Sequence, residues 1–362
     1  MKSSALFPFV VLMAVAGSGQ AAEIPTPGDP SGPPVSHFQG TCDSDPDGTK
    51  FAGKACYTSY DTAHIGYGAQ YQPPVCAGSV SQSQRDMLAR VYKRAPDYVK
   101  GKLCRLTQFF VTDPTSVAPW GWGLWEGLDR PPGKGVYVAI SSQDLDGKKS
   151  IADAENETAG RLLSARGAKG LLPLKMAGPP DPELTVLGEL AHELGHALLA
   201  DTNADGTDRR HPRRRIVGPP RNDCFEHAFL ERSWDPDTFH RHMTRWVNFG
   251  QQNFNKHKNA NVRFDLDGLR AGVRKGNLGA ANDAIRKVYR SREFVSFAGA
   301  IRPEEDAVEV YKTKVLVDAA PNQKLSFTLN GEEINVSDLL GSGILAGKLQ
   351  CLRDLGFLTG QP

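Results

Sequence analysis

The segment Gly188-Glu189-Leu190-Ala191-His192-Glu193-Leu194-Gly195-His196-Ala197-Leu198 constrains this chain more than any other. It contains His-Glu-x-x-His, a spacing that puts two imidazoles on one face of a helix with a carboxylate beside them. Four residues advance a helix by about 6 Å, a little over one turn, so His192 and His196 point the same way. Two neutral imidazoles so placed can reach one tetrahedral Zn²⁺ at about 2.0–2.1 Å. Glu193 stands one position further round. It can reach a zinc-bound water without being a ligand, which suits a general base. Between Leu190 and Leu199 it is the only charged residue. A carboxylate on so apolar a helix needs a task. The competing reading, two surface histidines and a solvated glutamate, suits a more polar helix.

The boundaries of that helix are well signalled. Asp181 is a good N-cap, and Pro182 fits the first helical position. Leu184, Leu187, Ala191, Leu194 and Leu198 recur at helical spacing and form an apolar stripe. On the helical wheel the histidines lie nearly opposite Leu194, so the stripe faces a core and the histidines a cleft. Asp201-Thr202-Asn203-Ala204-Asp205-Gly206 reads as the helix end and a loop.

A chain of 362 residues predicts two lobes rather than one small module. Its formal net charge of +2 argues against a partner that is nucleic acid or an anionic membrane. Residues 1–22 read as a secretory signal: Lys2, then the apolar run Leu6 to Ala16, then small residues around Gly19-Gln20-Ala21. That run is too short for a membrane span, and no later stretch qualifies. The expected location is therefore secreted or periplasmic. Six cysteines remain: Cys42, Cys56, Cys76, Cys104, Cys224 and Cys351. An even count in an exported protein predicts disulfides, and the pairing Cys42–Cys56, Cys76–Cys104 and Cys224–Cys351 closes two local loops. Cysteine ligation of zinc is disfavoured, since no Cys-x-x-Cys occurs.

Residues 23–76 are rich in Pro, Gly, Ser and Asp, and read as an irregular arm pinned by cysteines. Within them, Cys42-Asp43-Ser44-Asp45-Pro46-Asp47-Gly48 resembles the start of a Ca²⁺ loop, but Lys54 stands where such a loop needs a bidentate glutamate. A disulfide-bounded polar turn is the better reading. Ser81 to Leu103 is helical in pattern with a break at Pro96, and Leu106 to Val111 reads as a strand. The tryptophans of Pro119 to Glu126 suit core packing better than a substrate shelf. Gly135 to Ser141 is a strand, either internal or at the edge of a cleft where an extended peptide could pair with it. A weaker helix spans Ala152 to Ala165. Arg209, Arg210, Arg213, Arg214 and Arg215 crowd a proline-broken loop, read as solvated rather than as a processing site. Helices are expected at Asn222–Arg232, Pro236–Phe249, Leu278–Arg292 and Ser337–Gly356. A hairpin should turn at Asn330-Gly331.

A catalytic zinc site uses three protein ligands. Leu199 and Thr202 exclude the pattern with a third histidine six residues on, and Gly206-Thr207-Asp208 fits no alternative aspartate segment. His211 and His227 have no spacing to recommend them. The better candidate is Arg302-Pro303-Glu304-Glu305-Asp306-Ala307-Val308-Glu309-Val310-Tyr311. Pro303 suits a helix start, and the macrodipole favours acids in the first turn. Glu305 and Glu309, four apart, share a face. One can bind zinc while the other accepts a hydrogen bond from a ligating histidine. Glu304 and Glu226 are the fallbacks.

With both segments in view, the chain resembles a gluzincin-type zinc metallopeptidase. Such enzymes pair His-Glu-x-x-His with a downstream helix bearing a glutamate ligand and a carboxylate four residues later. Glu305-Asp306-x-x-Glu309 is similar to the Glu-Asp-x-x-Glu form. The resemblance implies His192, His196 and Glu305 as ligands of one Zn²⁺, Glu193 as the catalytic base, and Glu309 behind a ligating histidine. It implies an α+β, zincin-like fold for residues 77–362: a small mixed sheet over an active-site helix in an upper lobe to about 205, then a mainly helical lobe over 206–362. Two departures stand out. The two helices are far apart in sequence, and Phe297 stands where several members carry an oxyanion-stabilising tyrosine. Tyr311 or His211 would have to take that role.

The expected activity is hydrolysis of protein or peptide substrates by a secreted zinc endopeptidase. The alternative is a secreted binding protein on a zincin fold that is catalytically weak or inactive. Phe297 favours the alternative, and the intact His192, Glu193 and His196 count against it.

Overall fold

The computed structural model describes residues 42, 44–59, 76–106, 108–112, 124–125, 137–163, 174–176, 180–202, 223–234, 257–329, 331–341 and 343–359. The expected signal segment, most of the tryptophan-rich stretch, the arginine-rich loop, the helix expected over 236–249 and His211 lie outside those residues. The described chain is a mixed α+β structure. A five-stranded sheet runs in the order β2-β1-β3-β5-β4, from β1 (Ala55–Thr58), β2 (Gly78–Ser79), β3 (Gln108–Thr112), β4 (Leu124–Trp125) and β5 (Tyr137–Ser141). The three inner strands are parallel, and the short outer strands are antiparallel to their neighbours. Strand alternation sends Phe109, Val111, Val138 and Ile140 into the main core, while Phe110 and Ala139 pack with Cys56 in a second cluster. A second sheet, β6-β7-β8, comprises Lys175–Met176, Ser326–Leu329 and Glu332–Asn335. The last two form the expected hairpin, with Gly331 at φ 84° in its turn.

Two expectations are corrected, and one alternative left open is settled. Residues 49–58 are not part of an irregular arm. They form the helix Thr49–Gly53 and the strand β1, and bury Phe51, Ala52 and Ala55. The polar turn before them serves that helix: the Asp45 carboxylate accepts from the Lys50 and Phe51 N–H groups, and Asp47 from Thr49. Strand β5 is internal, because β4 covers the side on which a peptide could have paired. The disulfides are Cys42–Cys104, Cys56–Cys76 and Cys224–Cys351. Only the third matches the expected pairing. Antiparallel pairing of β1 with β2 brings Cys56 to Cys76, and Cys42 meets Cys104 at the end of the helix Asp97–Leu103. Three disulfides fit an oxidising compartment. No helix among the described residues is long and apolar enough to cross a membrane.

Two long helices form the centre. The motif helix, Pro182–Thr202, begins where Asp181 Oδ1 accepts from the Leu184 N–H at 3.1 Å. Leu184, Leu187, Ala191, Leu194 and Leu198 are buried as their spacing requires, but so are Val186, Leu190, Ala197 and Leu199. The helix is thus enclosed on more than one side. It contacts β4, β5, the helices Gln82–Arg94 and Ile151–Leu162, and above all the acidic helix Pro303–Ala319. The last of these contacts is close because two motif-helix positions are glycine. A Cβ at Gly188 would stand 3.3 Å from the Leu316 side chain. One at Gly195 would stand 3.2 Å from Val308 Cγ1 and 3.3 Å from both Val308 Cα and Tyr311 Cδ1.

The start of the acidic helix is clamped from below. Lys348, on the helix Gly343–Asp354, donates to Asp306 Oδ2 at 2.6 Å and to the Glu293 carbonyl at 2.7 Å, both ions being fully buried. Trp234 Nε1 donates to the same aspartate oxygen at 3.3 Å. The Cys224–Cys351 bond ties the helical segment 223–233 to the helix carrying Lys348. Alongside, His257 packs among Trp234, Phe264 and Phe294, and its Nε2 donates to the Ala300 carbonyl at 2.8 Å. Burial pushes His257 down to about 4. A depressed histidine contributes stability above its unfolded value of about 6.5 and loses it as pH falls through about 4, a loss of up to roughly 3 kcal/mol. Urea unfolding between pH 6.5 and 4 should therefore show a shallower acid-side decline for His257→Gln than for the wild type. Superimposable slopes would contradict this account.

Candidate metal centre

The motif helix and the acidic helix meet where their chemistry lies. His192 and His196 project from one face of the first, and their Nε2 atoms are 3.2 Å apart. Glu305 Oε2, from the first turn of the second, lies 3.7 Å from His192 Nε2 and 3.6 Å from His196 Nε2. For metal–ligand bonds of about 2.0–2.1 Å, a tetrahedral centre needs ligand atoms about 3.3 Å from one another. The triangle matches that requirement within a few tenths of an ångström. Among the described residues this is the one group of three His, Cys, Asp or Glu side chains whose ligand atoms converge in this way.

Orientation is set behind the rings. Glu309 Oε1 lies 2.7 Å from His192 Nδ1, so Nδ1 donates its proton there and the Nε2 lone pair faces His196 and Glu305. Arg302, at the N-cap of the acidic helix, donates to Glu305 Oε1 at 2.8 Å, leaving Oε2 toward the imidazoles. Lys312 lies 2.5 Å from Glu309 Oε2 and 2.5 Å from Glu155 Oε1. Glu193 Oε1 is 3.9 Å from His192 Nε2, and the residue is only 3% exposed.

Two nitrogens at 3.2 Å must be bridged, by a proton or by a cation. The surroundings suit a cation: the carboxylates Glu155, Glu193, Glu305 and Glu309 are gathered about the two imidazoles, with Arg302 and Lys312 against Glu305 and Glu309. Two imidazoles and one carboxylate are a donor set that could hold a divalent cation such as zinc.

The titration of these groups follows from burial and neighbours. Burial pushes Glu193 up to about 8, outweighing His192, and puts it where a proton acceptor works near neutral pH. Burial pushes His196 down to about 4. Burial alone would also lower His192, but the Glu309 hydrogen bond and the Glu193 and Glu305 carboxylates hold it up at about 9. Glu305 stays below the usual glutamate value, since His196 and Arg302 outweigh the burial that would raise it.

The sequence candidates separate cleanly. His192, Glu193, His196, Glu305 and Glu309 come together. The fallback Glu304 is outside the converging group and is pushed up to about 7 by burial. Glu226 sits in a π-helical turn, Glu226–Leu230. His227 pairs with Glu231 on an exposed face. Tyr311 is corrected as an oxyanion candidate: it is fully buried, edge-on to Tyr98 and Phe357, and a substrate cannot reach it. Phe297 is likewise a core residue, stacked on Phe264. Arg302, Lys312 and Glu155 were missed by the sequence reading. The first two stand three residues from Glu305 and Glu309 on the same helix, which is a usable local signal.

Comparison with protein-family models, with curated proteins and with solved structures finds no match.

Metal analysis of the purified chain should return one Zn²⁺ bound through His192, His196 and Glu305, and Glu305→Ala should lose most of it. Gly195→Ala tests the helix seam. The added methyl forces Val308 and Tyr311 back, costing about 1–3 kcal/mol and weakening zinc binding by moving Glu305. A Gly195→Ala protein with unchanged melting and unchanged zinc affinity would show that the close approach is not required.

Proposed function

We propose that the chain is a zinc-dependent endopeptidase of the gluzincin type, with His192, His196 and Glu305 as metal ligands and Glu193 as general base. The observation that carries this reading is the triangle of His192 Nε2, His196 Nε2 and Glu305 Oε2, with Glu193 beside it and not part of it. A site meant only to store a metal has no use for a fourth carboxylate pushed up to about 8. The placement of the motif helix against a small mixed sheet, and of the acidic helix against helices from the last part of the chain, supports a zincin-like arrangement.

In this mechanism His192, His196 and Glu305 would hold the ion, which would supply Lewis acidity and lower the pKa of a bound water from about 15.7 to about 7. The protein's groups do the rest. Glu309 holds His192 in the tautomer with its Nε2 lone pair toward the ion. Arg302 holds Glu305 with one oxygen toward it. Glu193 takes the proton from the attacking water on its carboxylate and returns it to the leaving amine.

The rival reading is a zincin-fold secreted binding protein without turnover. The burial of Tyr311 and Phe297 favours it, because neither can donate to an oxyanion. Burial of Glu193 opposes it, since an ionisable group kept in a dry site costs stability unless it is used. Casein or a peptide library, incubated with and without a chelator, separates the two. Glu193→Gln should keep its zinc and lose roughly 10²–10⁴-fold or more of the cleavage rate. Undiminished cleavage by that variant, or cleavage indifferent to chelation, would refute the proposal.

A further inference from the structure

We propose that Lys312 and Glu155 are positioning residues for the metal, acting on His192 through Glu309. The inference rests on the metal-centre reading above and adds a three-membered support to it.

Glu309 uses its two oxygens differently. Oε1 receives the His192 Nδ1 proton at 2.7 Å, and Oε2 faces Lys312 Nζ at 2.5 Å. The same ammonium donates to Glu155 Oε1 at 2.5 Å, on the helix Ile151–Leu162, and Tyr289 reaches the other Glu155 oxygen at 3.5 Å. A carboxylate held at one oxygen can still turn about its last torsion. Held at both, it has a fixed plane, and the imidazole bonded to it has a fixed direction. The chain therefore joins three elements, the helix carrying Glu155, the acidic helix and the motif helix, to the aim of a single lone pair.

The chemistry of the pair is informative because apolar residues would serve packing as well. Removing two charges from water is costly, and replacing a buried ion pair by apolar residues of similar size is often neutral or stabilising. Glu155 is 8% exposed and Glu309 is 1% exposed. Lys312 sits between them, and the three line one small, mainly apolar cavity together with His192. Retaining an ammonium there is explained if its task is to hold Glu309 rather than to fill space.

The test replaces the supporting pair and leaves Glu309 and His192 in place. In the double variant Glu155→Leu/Lys312→Met, three quantities are compared with wild type: Zn²⁺ affinity by chelator competition, the absorption spectrum of the Co²⁺-loaded protein, and urea unfolding of the metal-free protein. The expected result is about 10–100-fold weaker Zn²⁺ binding and an altered Co²⁺ spectrum, with metal-free stability unchanged. Equal Zn²⁺ affinity and an unaltered spectrum would overturn the positioning role while leaving the metal centre intact. Affinity lost only in proportion to metal-free stability would also overturn it, assigning the pair to packing. A wild-type chain that binds no Zn²⁺ would remove the metal-centre reading and this inference together. If the double variant does not fold, Glu155→Gln, which keeps Lys312 against Glu309, is read by the same three measurements and the same criteria.

Discussion

Two helices that pack closely where the motif helix carries glycine, against Leu316, Val308 and Tyr311 of its neighbour, set the geometry of everything else. Gly188 and Gly195 stand seven residues apart on the motif helix, and each lies where a Cβ would press into the acidic helix. Seven residues is close to two full turns, so both gaps open toward the same neighbour. Ordinary helix pairs sit about 8–10 Å apart, the spacing depending on the side chains at the contact. Here the missing side chains bring the acidic helix near enough for Glu305 to meet the rings of His192 and His196, and for Glu309 to reach behind the first. A wider spacing would leave four good ligand and support groups unable to converge.

That closeness concentrates negative charge, and the fold answers it locally. The N-terminus of the acidic helix carries a partial positive charge that favours Glu304, Glu305 and Asp306 in its first turn. Arg302 and Lys312 compensate two carboxylates directly, and Lys348 compensates Asp306. Beside the two imidazoles, burial holds Glu193 toward its protonated form. The aromatic and disulfide clamp of Trp234, Lys348 and Cys224–Cys351 keeps the acidic helix against the site.

Much of this was legible because its signals are local. His192, Glu193 and His196 lie within one turn and a fraction, and Glu305 and Glu309 repeat the same spacing on another helix, so both faces could be read from short windows of sequence. That they face each other could not: His192 and Glu309 are 117 positions apart. Glu155 and Lys312 are 157 apart, and nothing in either neighbourhood announces the partner. Two of the three expected disulfides failed for the same reason. Proximity in sequence suggested Cys42 with Cys56, but Cys56 faces the strand β2 side and Cys42 the end of the helix Asp97–Leu103. Tyr311 was misjudged because a residue six positions after a ligand on a helix does not share its face. Six steps of 100° turn it away into the core.

The same burial acts in opposite directions on the groups of the site, and this divides their labour. It disfavours whichever form is charged, so it raises Glu193 and lowers His196. His192 escapes only because Glu309 offers an anion at its far nitrogen. The two histidines of one motif are therefore chemically unequal: one is backed by a carboxylate and held above the ordinary imidazole value, the other is pushed below it by burial. A dication placed between them draws on both lone pairs. It would also weaken the tendency of Glu193 to hold a proton, which burial and the two carboxylates Glu305 and Glu309 create, by giving it a positive neighbour. Under the proposed function, the base would thus be freed by the ion itself, and the coupling would need no moving part, only the close approach that two glycines permit.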